Sequence, residues 1–459
     1  MAGVATQHEL TEFLQQRPDL RFIDLLLHDI NGIDRGKRID RNAATETFAA
    51  GLPMPGSLLA LDIEGGTVEA TGLGTDQGDA DRPCRPVAGT LVDVPWLEHA
   101  VAQAQLGMYE PDGRPFYADP RHLLEAMISR FWLRGLIPVV AIEPEFYFVD
   151  FERAAGGMPQ PPRGPLTGRR ESRAQINSMT DLDEYSSVLT AIHAACHAQR
   201  VPATSCLAEY GPGQFEVNLA HGADALAVCD QAMRFKRIVK SVARRHNMDA
   251  TFLAKPYREA AGSGLHVHVS INDVAGNNVF SDPSTQGGPS LQYAINGCLE
   301  TMLDGTAIFG PNANSWRRFR PGTYTPLGAT WSVNHRGAAI RVPAGDAANR
   351  RLDHRVAGAD GNPYLVVTWI LGGILKGLDM RRLPPPALDG DAASLNDGNL
   401  NPLPRHWPVA LERFVSSSVA AEILGTAFHK HFATVKLAEL EAFSTRVTPW
   451  ECEQSLAQL

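Results

Sequence analysis

The run Val139-Val-Ala-Ile-Glu-Pro-Glu-Phe-Tyr-Phe-Val149 constrains this chain most. Its apolar density reads as a buried strand. Residues two apart in a strand share a face, so Glu143 and Glu145 point the same way. Two buried carboxylates without partners are costly, and hard oxygen donors of this kind suit Mg²⁺ or Mn²⁺. The alternative is a strand half exposed to water, since surface carboxylates are common.

The pattern recurs, which favours the buried reading. In Gly264-Leu-His-Val-His-Val-Ser-Ile271, His266, His268 and Ser270 share one face, with Leu265, Val267, Val269 and Ile271 on the other. In Cys206-Leu-Ala-Glu-Tyr-Gly-Pro-Gly-Gln-Phe-Glu-Val-Asn218, Glu209 and Glu216 flank Gly211-Pro-Gly213. A turn there brings two strands back together with the carboxylates facing one another. In Arg350-Arg-Leu-Asp-His-Arg-Val356, Arg351, Asp353 and Arg355 share a face. Taken singly, each segment has a structural explanation. Four together read as the lining of one metal-rich cavity.

The chain has 459 residues, enough for more than one domain. A hydrophobic content of 44%, a charged content of 20% and a formal net charge of −9 describe an ordinary globular protein and argue against a nucleic-acid binder. The six cysteines are scattered without a Cys-x-x-Cys, the pattern of reduced thiols in a cytoplasmic protein. No signal peptide is visible. Tyr364–Leu375, the most apolar stretch, is too short to span a bilayer and reads as a buried helix, so no membrane role is expected.

Residues 8–18 carry an amphipathic helix pattern. Phe22–Leu27 and Leu59–Ile63 read as strands, with Asp29–Gly32 as a turn. At Asp119-Pro-Arg-His a helix starts, with Asp119 as N-cap and Pro120 at its first position. The domain boundary is placed just before it, giving domains 1–114 and 115–459. Residues 154–175 read as a loop.

No phosphate-binding glycine loop is present. Side chains and metals must then hold any nucleotide. Eight arginines fall between positions 317 and 355, namely 317, 318, 320, 336, 341, 350, 351 and 355, of 42 lysines and arginines in all. Guanidinium groups match phosphate and carboxylate oxygens bidentately. Beside a carboxylate-lined cavity, the set favours phosphoryl transfer. A solvated surface or an oligomer interface remains the alternative for any one of them.

These segments, with Lys255-Pro256, Asn314-Ser-Trp-Arg-Arg318 and Gly358-Ala-Asp-Gly-Asn-Pro-Tyr364, resemble the glutamine synthetase family in order along nearly the whole chain. Gly32-Ile-Asp-Arg-Gly-Lys-Arg38, Pro321-Gly-Thr-Tyr-Thr-Pro326 and His354-Arg-Val-Ala-Gly-Ala-Asp360 look closest to its γ-glutamylpolyamine synthetase branch. The resemblance implies an α+β fold: a small N-terminal β-grasp domain and a large catalytic domain with a curved antiparallel sheet. It implies a dodecamer of two hexameric rings, glutamate, ATP and an amine as substrates, and two or three Mg²⁺ or Mn²⁺ ions per site. One metal set would be Glu145, Glu209 and Glu216, the other Glu143, His266 and Asp353. Gly262, Arg318 and Arg355 would hold glutamate. His268, Ser270, Arg341 and Arg351 would hold ATP, with Arg336 near the transferred phosphoryl group.

The chain also departs from the family pattern. Asp353 stands where Glu is usual, Asn177 where many relatives have Tyr, and residues 389–405 lack the tyrosine that some bacterial members modify. Tyr324 stands where ammonia users carry a catalytic Glu, so Tyr324 joins Arg336 and Glu209 as a catalytic-site candidate. The expected activity is ATP-dependent joining of glutamate to an organic amine, a polyamine first. Glutamine synthesis from ammonia and a non-catalytic homologue are the alternatives. Trp316, Tyr324 and Trp331 are candidates for an apolar amine pocket, with core packing as the competing explanation. Asp62, Glu64 or Glu69 of a neighbouring subunit are candidates for the cationic end of a diamine, against plain solvated loop charges.

Overall fold

The protein is described from a computed structural model over residues 3–173, 175–388 and 401–459. Most of the 389–405 segment therefore lies outside the described residues.

Two sheets organise the chain, in an α+β architecture. The smaller contains β1 (Phe22–His28), β2 (Asp34–Asp40), β3 (Leu52–Pro55), β4 (Asp81–Pro86), β5 (Val92–Asp93) and β6 (Val101–Met108). Its path is β2-β1-β6-β4-β3, with β5 also on β6 and a parallel pairing of β1 with β6. The larger contains β7 (Leu136–Val149), β8 (Ala203–Ala208), β9 (Gln214–Leu219), β10 (Asp249–Thr251), β11 (Leu265–Asp273), β12 (Trp331–Val333), β13 (Ile340–Val342) and β14 (Leu352–His354). Its path is β12-β13-β14-β11-β7-β9-β8, with β10 on the far end of β7. All its pairings are antiparallel except β12 with β13.

Alternation along β7 and β11 separates two faces. Val140 and Ile142, with Leu265, Val267, Val269 and Ile271, are fully buried beneath the sheet. Helices Pro120–Trp132 and Ala225–Arg245 pack against β7 from that side. The first begins as its sequence dictates: Asp119 accepts a hydrogen bond from the Arg121 N–H, and Pro120 fills the first position. The apolar stretch after Asn362 forms the buried helix Pro363–Met380. It crosses Pro289–Met302 so closely that a Cβ on Gly297 would sit 2.1 Å from the Gly373 carbonyl oxygen, which only glycine permits.

Buried polar networks join the two sheets' territories. Asp230 receives Arg121 bidentately at 3.0 Å on both oxygens, Tyr364 Oη at 2.7 Å and Gln105 of β6 at 3.1 Å. Burial pushes the Asp230 carboxyl up, but the Arg121 charge and hydrogen bonds outweigh it and hold it low. Lys436 pairs with Glu439 at 2.8 Å and with Asn31, and Glu439 also accepts the Ile63 N–H at 2.9 Å. Two apolar clusters accompany the sheets. One draws on residues from Ala5 to Ala118; the other draws mainly on residues beyond 120, joined by Ile30 and Val68.

One expected strand is absent. Gly56–Leu59 is a 3₁₀ turn, and Leu61 makes only an isolated bridge to Thr67. The cause is Asp62, whose Oδ1 takes the N–H groups of Glu64 and Gly66 and closes a local turn instead. The described part of the 154–175 loop is irregular as expected, apart from a short 3₁₀ turn at Ala155–Gly157 and an isolated bridge between Arg163 and Arg170. Glu184 holds the loop by accepting the Leu166 and Thr167 N–H groups at 2.9 Å.

Candidate active site

Sheet register assembles the site. His266 on β11 lies opposite Glu143 on β7, and Glu145 lies opposite Glu216 on β9. The β8–β9 hairpin returns through Gly211-Pro-Gly213, with the Glu209 N–H donating to the Gln214 carbonyl at 2.9 Å. One ligand atom from each of Glu145, Glu209 and Glu216 lies within 4.8 Å of the others, and so do those of Glu143, Glu216 and His266.

Concentrating this many carboxylates shifts their protonation. Burial, then the Glu145 charge, pushes Glu209 up to about 8. Burial and the charges of Glu145, Glu143 and Glu209 push Glu216 up to about 9. Glu145 is also raised by burial, against the Gly264 N–H that donates to it at 2.9 Å. Glu143 goes the other way. Burial raises it, but the hydrogen bond with His268 and the charges of Arg355 and Arg351 more than compensate. Burial pushes His266 well below the usual histidine range, so it is a neutral ligand-ready imidazole.

The arginines sort themselves by geometry. Arg355 donates to Asp353 Oδ2 at 3.0 Å and to the Arg336 carbonyl at 3.1 Å. Arg341 approaches the same Asp353 oxygen at 3.4 Å and donates to Asn334 at 2.9 Å. Arg351 Nε donates to His268 Nδ1 at 3.2 Å. That contact makes Nδ1 the acceptor and leaves the proton on Nε2, 3.1 Å from Glu143 Oε1. Arg318 is buried and donates to the Val356 carbonyl at 3.1 Å. Arg336 is exposed over the carboxylates, and its charge reaches Glu209. Arg350 turns away, toward the carbonyls of Asp282 and Thr285.

Among the sequence candidates, Asp353 sits deepest. It is fully buried, with Oδ2 held by Arg355 and Arg341, and with Oδ1 left without a hydrogen-bond partner among the described residues, 3.9 Å from His268 Nε2. It lies opposite His268 on the neighbouring strand β14, outside the two tight carboxylate groupings. Ser270 continues the His266–His268 face. Gly262 offers its carbonyl to Gln214 Nε2 at 3.1 Å.

Trp316 and Trp331 do not line an amine pocket. Trp316 is buried and stacked on Phe319 at 5.2 Å; Trp331 is buried with Nε1 donating to the Pro385 carbonyl at 2.7 Å. Tyr324 alone of the three is exposed. The acids of the N-terminal region have partners within their own chain: Asp62 closes its turn, Glu64 pairs with Arg446, and Glu69 accepts from Thr75 and Asp76. Asn177 has a left-handed φ of 58° and donates its N–H to the Ala208 carbonyl, a backbone position that Asn adopts more readily than Tyr.

Two residues escaped the sequence reading. Gln214, whose Nε2 reaches Glu145 Oε2 at 3.3 Å, was legible, because it stands two residues before Glu216 on the same face. Tyr210 sits at a hairpin tip, where no periodicity marks it.

The acidic and imidazole donors converge, the paired carboxylates repel in the absence of a cation, and Asp353 keeps one oxygen free of hydrogen bonds among the described residues. This donor set fits hard divalent cations. Residues 117–455 match the glutamine synthetase catalytic domain. The chain is 40% identical to the γ-glutamylputrescine synthetase of Escherichia coli (strain K12), across 99% of this chain and 95% of that one. It is 30% identical to a glutamine synthetase of Thermus thermophilus, across 96% of each. Its fold superimposes on a solved GmaS/ADP complex with a TM-score of 0.84 and 25% identity, covering 98% of this chain and 99% of the other. The chain belongs to the glutamine synthetase family.

Proposed function

We propose that this protein is an ATP-dependent ligase that joins the γ-carboxyl of glutamate to an organic amine, a polyamine in preference. The observation that carries this reading is the convergence of Glu143, Glu145, Glu216 and His266 on one sheet face with Glu209 from the β8–β9 turn, fenced by arginines, with Tyr324 exposed beside Tyr210. Similarity to a γ-glutamylputrescine synthetase supports the choice of amine.

In this reading Glu145, Glu209 and Glu216 hold one divalent cation, and Glu143, His266 and Asp353 hold the other. Bound there, Mg²⁺ or Mn²⁺ would neutralise phosphate charge and polarise the phosphoryl oxygens. Gly262, Arg318 and Arg355 hold glutamate. His268, Ser270, Arg341 and Arg351 hold ATP. A γ-carboxylate oxygen of glutamate attacks the ATP γ-phosphorus, and the bond to ADP breaks. Arg336, exposed above the carboxylates, balances charge on the transferred group. The amine nitrogen then attacks the acyl carbon of γ-glutamyl phosphate. The carbon–oxygen bond to phosphate breaks, and Glu209, bordering the amine side, takes the nitrogen's proton. Tyr324 supplies apolar area for the amine's carbon chain and leaves no carboxylate in its loop to bind ammonium.

The chain divides near residue 115, supported by the two apolar clusters. It assembles as a two-ring dodecamer. It works in the cytoplasm; no helix among the described residues is long and apolar enough to cross a membrane.

The test is phosphate release from ATP with glutamate and Mg²⁺ or Mn²⁺ across ammonia, diamines, polyamines and monoamines. The expected result is turnover with an organic amine exceeding that with ammonia about tenfold or more at equal concentration. Preference for ammonia would overturn the amine assignment, and no phosphate release with any acceptor would overturn the ligase itself.

A further inference from the structure

Tyr210 follows Glu209 at the tip of the β8–β9 hairpin. Its ring stacks on Tyr324, with centroids 5.6 Å apart and planes inclined by 27°. The Tyr210 hydroxyl donates to the Tyr324 hydroxyl at 3.4 Å. The two residues are 114 positions apart, on separate loops, yet they form one aromatic surface beside the carboxylate cluster. Both rings remain open to solvent, at 45% for Tyr210 and 59% for Tyr324.

The backbone beneath Tyr210 is held on three sides. Gly211 donates its N–H to Gln214 Oε1 at 2.9 Å, and the Gln214 N–H returns to the Gly211 carbonyl at 2.9 Å. A Cβ at Gly211 would lie 1.9 Å from the Tyr147 hydroxyl, which is itself fixed by donating to the Ala261 carbonyl at 2.7 Å. On the other loop, Thr323 Oγ1 donates to the Arg320 carbonyl at 2.8 Å. The aromatic surface is thus presented from anchored loops.

We infer that Tyr210 is a specificity-determining residue: with Tyr324 it forms an aromatic wall that receives the second, non-reacting ammonium of a diamine or polyamine. This rests on the ligase reading above. A cation is attracted to the face of an aromatic ring, and a neutral alkyl end is not. Asp62, Glu64 and Glu69 are engaged within their own chain, whereas the stacked pair turns ring surface outward next to Glu209. The wall selects for charge at the far end of the amine, beyond the apolar contact that any carbon chain makes.

The experiment compares 1,4-diaminobutane with butylamine, equal in carbon count and differing in the second ammonium, in wild type, Tyr210→Leu and Tyr210→Phe. In Tyr210→Leu the KM for diaminobutane should rise about fivefold. The KM for butylamine should stay within about twofold, and the KM values for glutamate and ATP should not move. Tyr210→Phe keeps the ring face and should retain the wild-type preference for diaminobutane. An equal rise for both amines in Tyr210→Leu would reduce the contact to apolar area and overturn the inference. So would a Tyr210→Phe variant that behaves like Tyr210→Leu, which would assign the effect to the hydroxyl. Wild-type amine turnover with an unchanged diaminobutane KM in Tyr210→Leu would refute the role of Tyr210 alone. Wild-type turnover confined to ammonia would refute the amine reading and this inference with it.

Discussion

Glu216→Gln isolates the physical chemistry of the carboxylate cluster. In the metal-free protein Glu216 is pushed up to about 9, so the folded state keeps a proton that the unfolded chain releases near 4.5. A carboxyl raised in this way lowers stability progressively as pH climbs from the unfolded value toward the folded one. The penalty fades again as pH falls toward 4.5. One pKa unit is about 1.4 kcal/mol, so the shift costs roughly 5 kcal/mol at pH 8 if Glu216 bears all of it. The repulsion is shared with Glu145 and Glu209, and one neutral substitution should recover about 2 kcal/mol. Unfolding entropy of about 2 cal/mol/K per residue turns that into a rise of about 2 °C for a chain of 459 residues. The assay is urea and thermal unfolding in EDTA at pH 8 and pH 5.5, repeated with Mn²⁺. In EDTA at pH 8 the variant should be the more stable protein, and the gap should shrink to a few tenths of a kcal/mol at pH 5.5. Saturating Mn²⁺ should reverse the order, because an ion at about a hundredfold its Kd adds roughly 2.7 kcal/mol to wild type, and Glu216→Gln has lost a ligand. A metal-free variant less stable than wild type at pH 8, or a gap independent of pH, would refute the reasoning.

Asp353→Glu should bring a carboxylate oxygen past the Arg355–Arg341 clamp and lower the Mn²⁺ titration midpoint about tenfold; an unchanged curve would sink Asp353 as the weak ligand of its set. Tyr324→Glu should raise ammonia turnover and lower that with diamines, measured as kcat/KM, whereas no gain with ammonia would place selectivity elsewhere in the pocket. Asp230→Ala strands the buried Arg121 charge and should cost about 3–5 kcal/mol in urea unfolding, with a loss below about 1 kcal/mol counting against the network as a tie between the two sheets.

Much of the site was written in local pattern. Alternation along Val139–Val149 and Gly264–Ile271 assigned β7 and β11 and put Glu143, Glu145, His266 and His268 on inward faces, because side chains in a strand repeat every two residues. Gly211-Pro-Gly213 announced the hairpin that turns Glu209 toward Glu216, and Asp119-Pro120 announced a helix start. The same local view misread Leu59–Ile63, where the Asp62 side chain captured the backbone. It also could not separate Trp316 and Trp331, which pack in the core, from Tyr324, which does not.

Tertiary structure decided which faces meet. Register across β7, β9 and β11 sets Glu145 against Glu216 and Glu143 against His266, and nothing in any one segment specifies that alignment. Register between β11 and β14 sets Asp353 opposite His268, where Arg355 and Arg341 share one of its oxygens, and the Tyr210–Tyr324 stack joins loops 114 residues apart. A strand's sequence determines which side chains share a face, since that depends only on backbone geometry between neighbours. Its partners are chosen by the burial of the opposite face and by long-range hydrogen bonding, and these exist only once the chain has folded.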